Sequence, residues 1–386
     1  MVLLLLYLNG YNQDPQTDSL LKVVTLGKDD SLKVNALISL AISNAQSSPD
    51  KALEFANKAK DLAVKTGFRS GEGYAYKWLG IINNNKGNYY EALVNSNKSL
   101  NIFEALGDKI GTSNLLNNLG AFYAAKGEDS KAVEYYLKSL DLAQQSGNKL
   151  RIESALGNIG VIYFKNPATN DKALEYYLKA VPYALEIKDD ESTGILYTNI
   201  GEVYVVKNEF DKALYYYNEA LKVLGSSSST AYTYNDLGKL YKKKKDYDSA
   251  GDYFDKAYSI AKDNNSPLDE TQSLMGKAQL QLVLGKAQQA IILFKEALVI
   301  AKSIESVAEL KEIYEGISAA YTKLDDYKNA LSFQSLLNNI YNIENEQKLS
   351  FNTATLQYTV ELQKQSAQIA VLKKENELHE LNLAKE

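Results

Sequence analysis

The sequence predicts an all-α solenoid built from a repeated pair of helices. A segment of about 40 residues recurs eight times along the 386-residue chain. Each copy contains two stretches whose apolar residues return at the spacing of an amphipathic helix, and no stretch is predicted to form a strand. A single helix pair cannot bury its apolar face, so consecutive pairs are expected to stack on one another.

The repeat is clearest at a small residue in the second helix of each copy. The stretch NNLGAFYAAKGEDSKAVEYYLKSL recurs as GNIGVIYFKNPATNDKALEYYLKAV and as TNIGEVYVVKNEFDKALYYYNEAL. We assign eight repeats to residues 19–343, after an N-terminal segment (1–18) and before a C-terminal helix (344–386). The aligned residues, separated by 40, 40, 41, 40, 37, 40 and 40 positions, are Ala52, Ala92, Ala132, Ala173, Ala213, Ala250, Ala290 and Ala330.

The first helix of a repeat carries an i, i+3, i+4, i+7 stripe, seen as Leu116, Leu119, Gly120 and Tyr123. Glycine inside a helix costs up to about 1 kcal/mol relative to alanine, so its regular return needs a reason. Close approach of two helices supplies one, and we expect each glycine to face the alanine of its own repeat. The glycines are Gly80, Gly120, Gly160, Gly201 and Gly238, and the aromatics four residues after the alanine are Tyr136, Tyr177, Tyr217, Phe254 and Phe294.

Turn signals separate the helices. Glycine or asparagine is available for a left-handed helix end within repeats at Gly87, Gly127 and Asn208, and Gly67, Gly107 and Gly147 end the second helix between repeats.

Composition excludes several classes of function. The chain has 45% apolar residues, and its 43 Lys and Arg against 48 Asp and Glu give a net charge of −5, which provides no basic field for a nucleic acid. It has no cysteine and a single histidine, His379, outside the repeats. We find no phosphate-binding loop and no catalytic constellation, so we expect no enzyme, no metal and no other cofactor.

These motifs resemble those of the tetratricopeptide repeat family: an aromatic or leucine, then Leu-Gly, then Tyr, then Ala, Phe or Tyr, and Ala. The resemblance covers about 300 residues. It implies a right-handed superhelix of helix-turn-helix repeats whose concave groove binds extended peptides. The copies depart from the family in being near 40 residues rather than the usual 34, like kinesin light chains and bacterial sensor proteins. The seventh and eighth repeats lack the Leu-Gly pair, with Lys277-Ala278 and Ile317-Ser318 instead.

The face opposite the packing stripe is the candidate groove. In the third repeat this face carries Asn117 and Asn118, and Asn118 recurs at the equivalent position as Asn158, Asn199 and then Asp236. An amide both donates and accepts hydrogen bonds, so a ladder of amides can pair with the backbone of an extended chain. The alternative is that these asparagines only cap local backbone or solvate the helix.

Side chains that differ between repeats are candidates for specificity. Trp78 takes the ladder position in the second repeat beside Lys77, and Glu202 and Lys239 follow the glycines of the fifth and sixth repeats. Trp78 is as compatible with a core position as with display in the groove.

From about Glu344 the pattern changes to one polar helix that is typical of a connector. Leu362, Ile369, Asn376 and Leu383 fall seven residues apart, with Leu372 at a d position, which predicts a weak coiled-coil seam and a homodimer. In bacterial signalling proteins with such repeats, a helix of this kind leads to a membrane span and an output domain. We therefore expect this chain to be the partner-binding or sensor region of such a protein, associated with a membrane only through parts outside these residues. The alternative is a cytoplasmic scaffold.

The apolar start, Met1–Leu8, is too short to span a bilayer and has no preceding basic residue. It is either the remnant of a signal peptide or a frayed terminus. The first interpretation favours a periplasmic or cell-envelope location, and the second leaves the cytoplasm open.

Overall fold

A computed structural model describes residues 15–383, and in that part of the chain the regular structure is entirely helical. The signal-peptide interpretation concerns residues 1–14, which lie outside the described residues. A short 3-10 helix, Pro167–Thr169, precedes α9. The α-helices are α1 (Pro15–Leu26), α2 (Ser31–Asn44), α3 (Pro49–Thr66), α4 (Arg69–Asn85), α5 (Tyr89–Ala105), α6 (Lys109–Ala125), α7 (Asp129–Gln145), α8 (Lys149–Phe164), α9 (Asn170–Ile187), α10 (Asp190–Val206), α11 (Phe210–Leu224), α12 (Thr230–Lys243), α13 (Tyr247–Asp263), α14 (Pro267–Val283), α15 (Ala287–Ser303), α16 (Val307–Lys323) and α17 (Tyr327–Leu383).

The described residues form two compact bodies. The first body comprises residues 15–127 together with 345–383, and the second comprises residues 128–344. Within the first body, α2 pairs with α3 and α4 with α5. Within the second, α8 pairs with α9, α10 with α11, α12 with α13 and α14 with α15. The predicted all-α fold of repeated helix pairs is confirmed.

The alanines used to align the repeats are all buried, as expected of positions at which two helices meet. In the second body, however, the atoms nearest to the glycines belong to aromatic rings. A Cβ added to Gly160 would lie 2.5 Å from the Tyr177 ring, and one added to Gly201 would lie 2.5 Å from the Tyr217 ring. The predicted contact is present at Gly80, where an added Cβ would lie 3.3 Å from the Ala92 carbonyl oxygen, whereas in the second body the glycine makes room first for the aromatic ring one turn beyond the alanine.

The seventh and eighth repeats carry a glycine two residues earlier in the first helix, and this glycine packs against the aromatic ring of the preceding repeat. A Cβ on Gly276 would lie 2.3 Å from the Phe254 ring, and one on Gly316 would lie 2.3 Å from the Phe294 ring. Phe254 also abuts Gly238, where a Cβ would lie 2.5 Å from the ring. Phe254 is therefore held between glycines of its own repeat and of the next one, and the missing Leu-Gly pair does not interrupt the core.

The turn predictions are confirmed by the backbone. Positive φ angles of 78° at Gly87, 74° at Gly127 and 61° at Asn208 end the first helices, and Gly67, Gly107 and Gly147 adopt positive φ between repeats. Pro49 and Pro267 each begin a helix, where the missing N–H leaves no bond unmade.

The last helix, α17, contains both the second helix of the eighth repeat and the predicted connector, and it has no break at residue 344. In the first body one buried aromatic anchors this connector. Phe351 is 1% exposed, and its ring packs edge-on against Tyr89, Phe122 and Tyr123 at centroid distances of 5.3–5.8 Å. Tyr358, two turns further on, contacts Tyr90. The segment 345–361 thus docks on the second and third repeats through one helical face.

Two glycines of α8 allow the glycine–ring packing to be tested with a matched control. Gly160→Ala places a Cβ against the Tyr177 ring, so we expect the free energy of unfolding to fall by about 1–3 kcal/mol. Gly157→Ala, one turn earlier, meets Leu196 at an ordinary 3.7 Å, and should gain up to about 1 kcal/mol from helix propensity. Urea unfolding measures whether each substitution lowers or raises the free energy of unfolding. A Gly160→Ala variant as stable as Gly157→Ala would contradict the packing.

Candidate functional site

The predicted groove asparagines lie on the first helices of their repeats. Asn117 and Asn118 lie on α6, Asn158 on α8 and Asn199 on α10, and all four side chains are half-buried. The Oδ1 atom of Asn199 accepts a hydrogen bond from the Tyr232 hydroxyl at 3.3 Å. Half-burial leaves part of each amide accessible, which the ladder interpretation requires.

A cleft of about 480 Å³ opens between α4 and α6 in the first body. Its floor is apolar, with Ile81, Leu119 and Phe122 among the lining side chains. Asn118 lines it, and so does Asn84, whose Oδ1 atom is enclosed without a hydrogen-bond partner. An apolar cleft with a few polar groups at its edge suits an apolar side chain together with its own backbone amide.

Lys77 and Trp78 form one wall of this cleft. Lys77 is only 8% exposed, and its ammonium donates a hydrogen bond to Asn114 Oδ1 and lies 5.9 Å from the centroid of the Trp78 ring. Trp78 is half-buried and also packs against two clusters of core residues, one around Val34 and one around Ala41. Trp78 therefore serves both as core and as cleft wall, which combines the two interpretations that its sequence position left open.

In the second body, α10 and α12 bring together three of the predicted residues. Asp236 is 1% exposed, and its Oδ1 atom accepts a hydrogen bond from Lys239 Nζ at 2.8 Å. Its Oδ2 atom is buried without a partner. Glu202 is half-buried nearby on α10. We call Glu202, Asp236 and Lys239 the acidic site.

The two carboxylates of the acidic site influence each other. Burial, followed by repulsion from Asp236, raises the pKa of Glu202 from 4.5 to about 7, and Lys239 opposes this shift. Attraction to Asp236 raises the pKa of Lys239 above its usual value. Burial raises the pKa of both Tyr217 and Tyr232, and repulsion from Asp236 and Glu202 adds to it. Near neutral pH Glu202 is therefore divided between its protonated and ionised forms.

Sequence reasoning missed several members of this site. Asn235, adjacent to Asp236, is 0% exposed and neither its oxygen nor its nitrogen has a hydrogen-bond partner. Tyr217, one of the aromatics four residues after the alanine, is buried, but its proximity to two carboxylates was not foreseen. The sequence does carry one signal, since an acid, Asp236, replaces the asparagine that precedes Leu-Gly or Ile-Gly in the third, fourth and fifth repeats.

The predicted coiled-coil seam lies on the exposed part of α17. Ile369 is 65% exposed and Leu372 is 59% exposed, whereas Leu362 is nearer to the docked segment. The side chain of Leu383, the last seam position, lies outside the described residues. Across residues 15–383, no helix is both long and apolar enough to cross a membrane.

The repeated helix pairs and their glycine-dependent packing place the chain among all-α repeat proteins. Residues 73–145 and 151–226 match a family model described as tetratricopeptide repeat, and residues 231–264 match a second one with the same description. The chain is a tetratricopeptide-repeat protein. No curated protein sequence matches it significantly.

Solved structures share this fold. A Rap protein complexed with competence and sporulation factor is 18% identical, over 88% of this chain and 89% of that one, with a TM-score of 0.59. The Rap conjugation gene regulator of plasmid pLS20, in complex with the Phr* peptide, is 17% identical over 83% and 97%, with a TM-score of 0.55. Aspartyl phosphate phosphatase F from Bacillus subtilis is 15% identical over 87% and 86%, with a TM-score of 0.59. At these identities the likeness establishes the fold.

The acidic site predicts an unusual pH dependence of stability. Because the folded chain binds the Glu202 proton more tightly than the unfolded chain does, the contribution of Glu202 is greatest below pH 4.5 and is lost as the pH rises through about 7. Glu202→Gln cannot ionise, so its stability relative to the parent should increase by up to about 3 kcal/mol between pH 4.5 and pH 8. Urea unfolding across this range measures it, with the exposed Glu175→Gln as control. If the difference in the free energy of unfolding between Glu202→Gln and the parent stayed constant over this pH range, the pKa of Glu202 would be the same in the folded and unfolded chains.

Proposed function

We propose that the chain is a peptide-binding module that holds an extended segment against the first-helix faces of its repeats. The observation that carries this proposal is the half-buried amide at the equivalent position of successive repeats, Asn118, Asn158 and Asn199, with an apolar cleft beside Asn118. The amides supply backbone recognition and the cleft accepts a side chain. Asn117 belongs to the same face and is included in the proposed surface.

The comparisons support this proposal by analogy. Two proteins of the same fold were solved as complexes, one with competence and sporulation factor and one with the Phr* peptide. The second is described as a conjugation gene regulator, which supports a role for this chain as the sensor region of a signalling protein. In this proposal, specificity comes from the residues that differ between repeats: Lys77 and Trp78 at the cleft, and Glu202, Asp236 and Lys239 at the acidic site.

A randomised heptapeptide library panned on the purified chain identifies a probe for the amide ladder. We expect the selected peptides to bind an Asn118→Ala, Asn158→Ala, Asn199→Ala variant at least about tenfold more weakly, because each lost hydrogen bond contributes about 0.5–1.5 kcal/mol. Isothermal titration calorimetry measures the change. The control variant replaces three exposed asparagines outside the first-helix faces, Asn57, Asn338 and Asn342, and should bind like the parent. Equal affinity of the ladder variant and the parent would reject the amide ladder.

We also propose that the exposed part of α17 mediates a homodimer. Ile369 and Leu372 are large apolar residues left exposed at seam positions, and Asn376 is the kind of amide that fixes the register of a two-stranded coil. The seam is short, so the affinity should be weak, in the micromolar range.

Sedimentation velocity from roughly 1 to 100 μM tests the dimer, because this range brackets micromolar affinities. The parent should shift from monomer to dimer with concentration, and Ile369→Asp with Leu372→Asp should remain monomeric because a charge at each position would be buried in the seam. Substituting the exposed Lys364 and Lys374, which lie away from the seam, by Gln is the control. A parent that stays monomeric throughout leaves α17 without a dimer interface in this chain.

A further inference from the structure

One aromatic side chain of the first body belongs both to the cleft and to the contact that docks α17. Phe122 lines the cleft between α4 and α6, and its ring packs edge-on against Phe351 of α17 at a centroid distance of 5.3 Å. Phe122 is 8% exposed, so its ring is enclosed between the cleft and the docked helix. Because packed side chains transmit displacements to their neighbours, a change on one side of this ring affects the other.

A second cavity connects the cleft to the docked helix. Its volume is about 500 Å³, and it lies between the turn at Gly87 and the α17 residues Gln347 and Ser350. Asn84 lines both this cavity and the cleft, so the two adjoin. A peptide that leaves the cleft past Asn84 therefore meets α17.

The docked helix is held by few contacts. Of the described side chains from 345 to 380, Phe351 alone is buried. A further cavity of about 580 Å³ lies between the start of α5 and the docked helix. One turn after Phe351, the Oγ1 atom of Thr355 is enclosed without a hydrogen-bond partner, which opposes docking. The helix thus rests on one buried ring and on the Tyr358 contact with Tyr90, so it can separate from the repeats while they stay folded.

We propose that peptide binding in the cleft and docking of α17 are coupled, so that each strengthens the other. The cleft has its shape with Phe351 in place, and a peptide that contacts Phe122 fits this docked form. When α17 separates, Phe122 loses the ring against which it packs, and the wall of the cleft is no longer fixed. A peptide that binds the docked form more tightly must hold α17 on the repeats by the same free energy. The inference rests on the proposed function, because the ligand is the extended peptide proposed above.

The chain has no cysteine, so a single introduced thiol can report docking. Thr355→Cys places a thiol at the enclosed position, where it reacts with the thiol reagent DTNB only while α17 is undocked. We expect a saturating library-selected peptide to slow this reaction at least about fivefold, which is the lower end of typical coupling between sites. Thr359→Cys, exposed one turn further on, is the matched control and should react at the same rate with and without peptide.

The reverse direction of the coupling is tested at Phe351. Phe351→Ala removes the docking ring but leaves every residue that lines the cleft in place, and we expect it to weaken binding of the same peptide. The loss cannot exceed the factor by which the peptide slows the thiol reaction, because both measure one coupling free energy. Leu356→Ala, at a side chain of the same helix that is 66% exposed, should bind like the parent, and Phe351→Leu should lie between the two. Isothermal titration calorimetry measures all three.

The outcomes separate this inference from the peptide-binding proposal. Peptides that bind the parent but leave the Thr355→Cys reaction unchanged would overturn the coupling alone, and so would peptides that bind Phe351→Ala as tightly as the parent. A faster Thr355→Cys reaction with peptide would show that the peptide and the docked helix exclude each other, which also overturns it. A chain that selects no peptide from the library would reject the proposed function and the coupling together.

Discussion

The contact between a helix glycine and the ring of its partner helix determines how the repeats of the second body pack. At Gly160, Gly201 and Gly238 the absent Cβ leaves the space that an aromatic ring fills, and no larger residue fits without moving that ring. Because the ring fixes the distance and register between the two helices, the same stripe of each first helix is always buried. The polar residues of the first helices lie outside this stripe, half-buried at Asn118, Asn158 and Asn199 and fully buried at Asp236.

Outside the packing stripe, two buried polar residues reduce stability. A fully enclosed amide without partners at Asn235, and an enclosed carboxylate oxygen at Asp236, are each unfavourable by about 1–3 kcal/mol. Neither group is required by the glycine–ring packing, since Asn158 occupies the position equivalent to Asp236 without full burial. A fold that tolerates these groups at one place gains a preformed polar site there, which is the arrangement that ligand recognition needs.

Most of the fold could be predicted because it depends on local patterns. Periodicity fixed the helices, and the glycines and Asn208 identified turns with positive φ. The aromatic ring as the nearest neighbour of the glycine was not predicted, because spacing along one helix does not say which residue of another helix lies opposite. The Glu202 pKa and the docking of Phe351 were not predicted at all. Both arise from residues distant in sequence, and a one-dimensional pattern contains no information about such contacts.

Phe122 illustrates why the candidate surfaces of the first body are better tested through asparagines than through aromatics. Its ring lines the cleft and also packs against Phe351, so one side chain serves both the candidate binding surface and the docked helix. Replacing it would remove a wall of the cleft and an anchor of α17 together, and the two losses would not be additive. Asn118 lines the same cleft without a ring contact to Phe351, so its replacement isolates recognition from the packing that holds the helix.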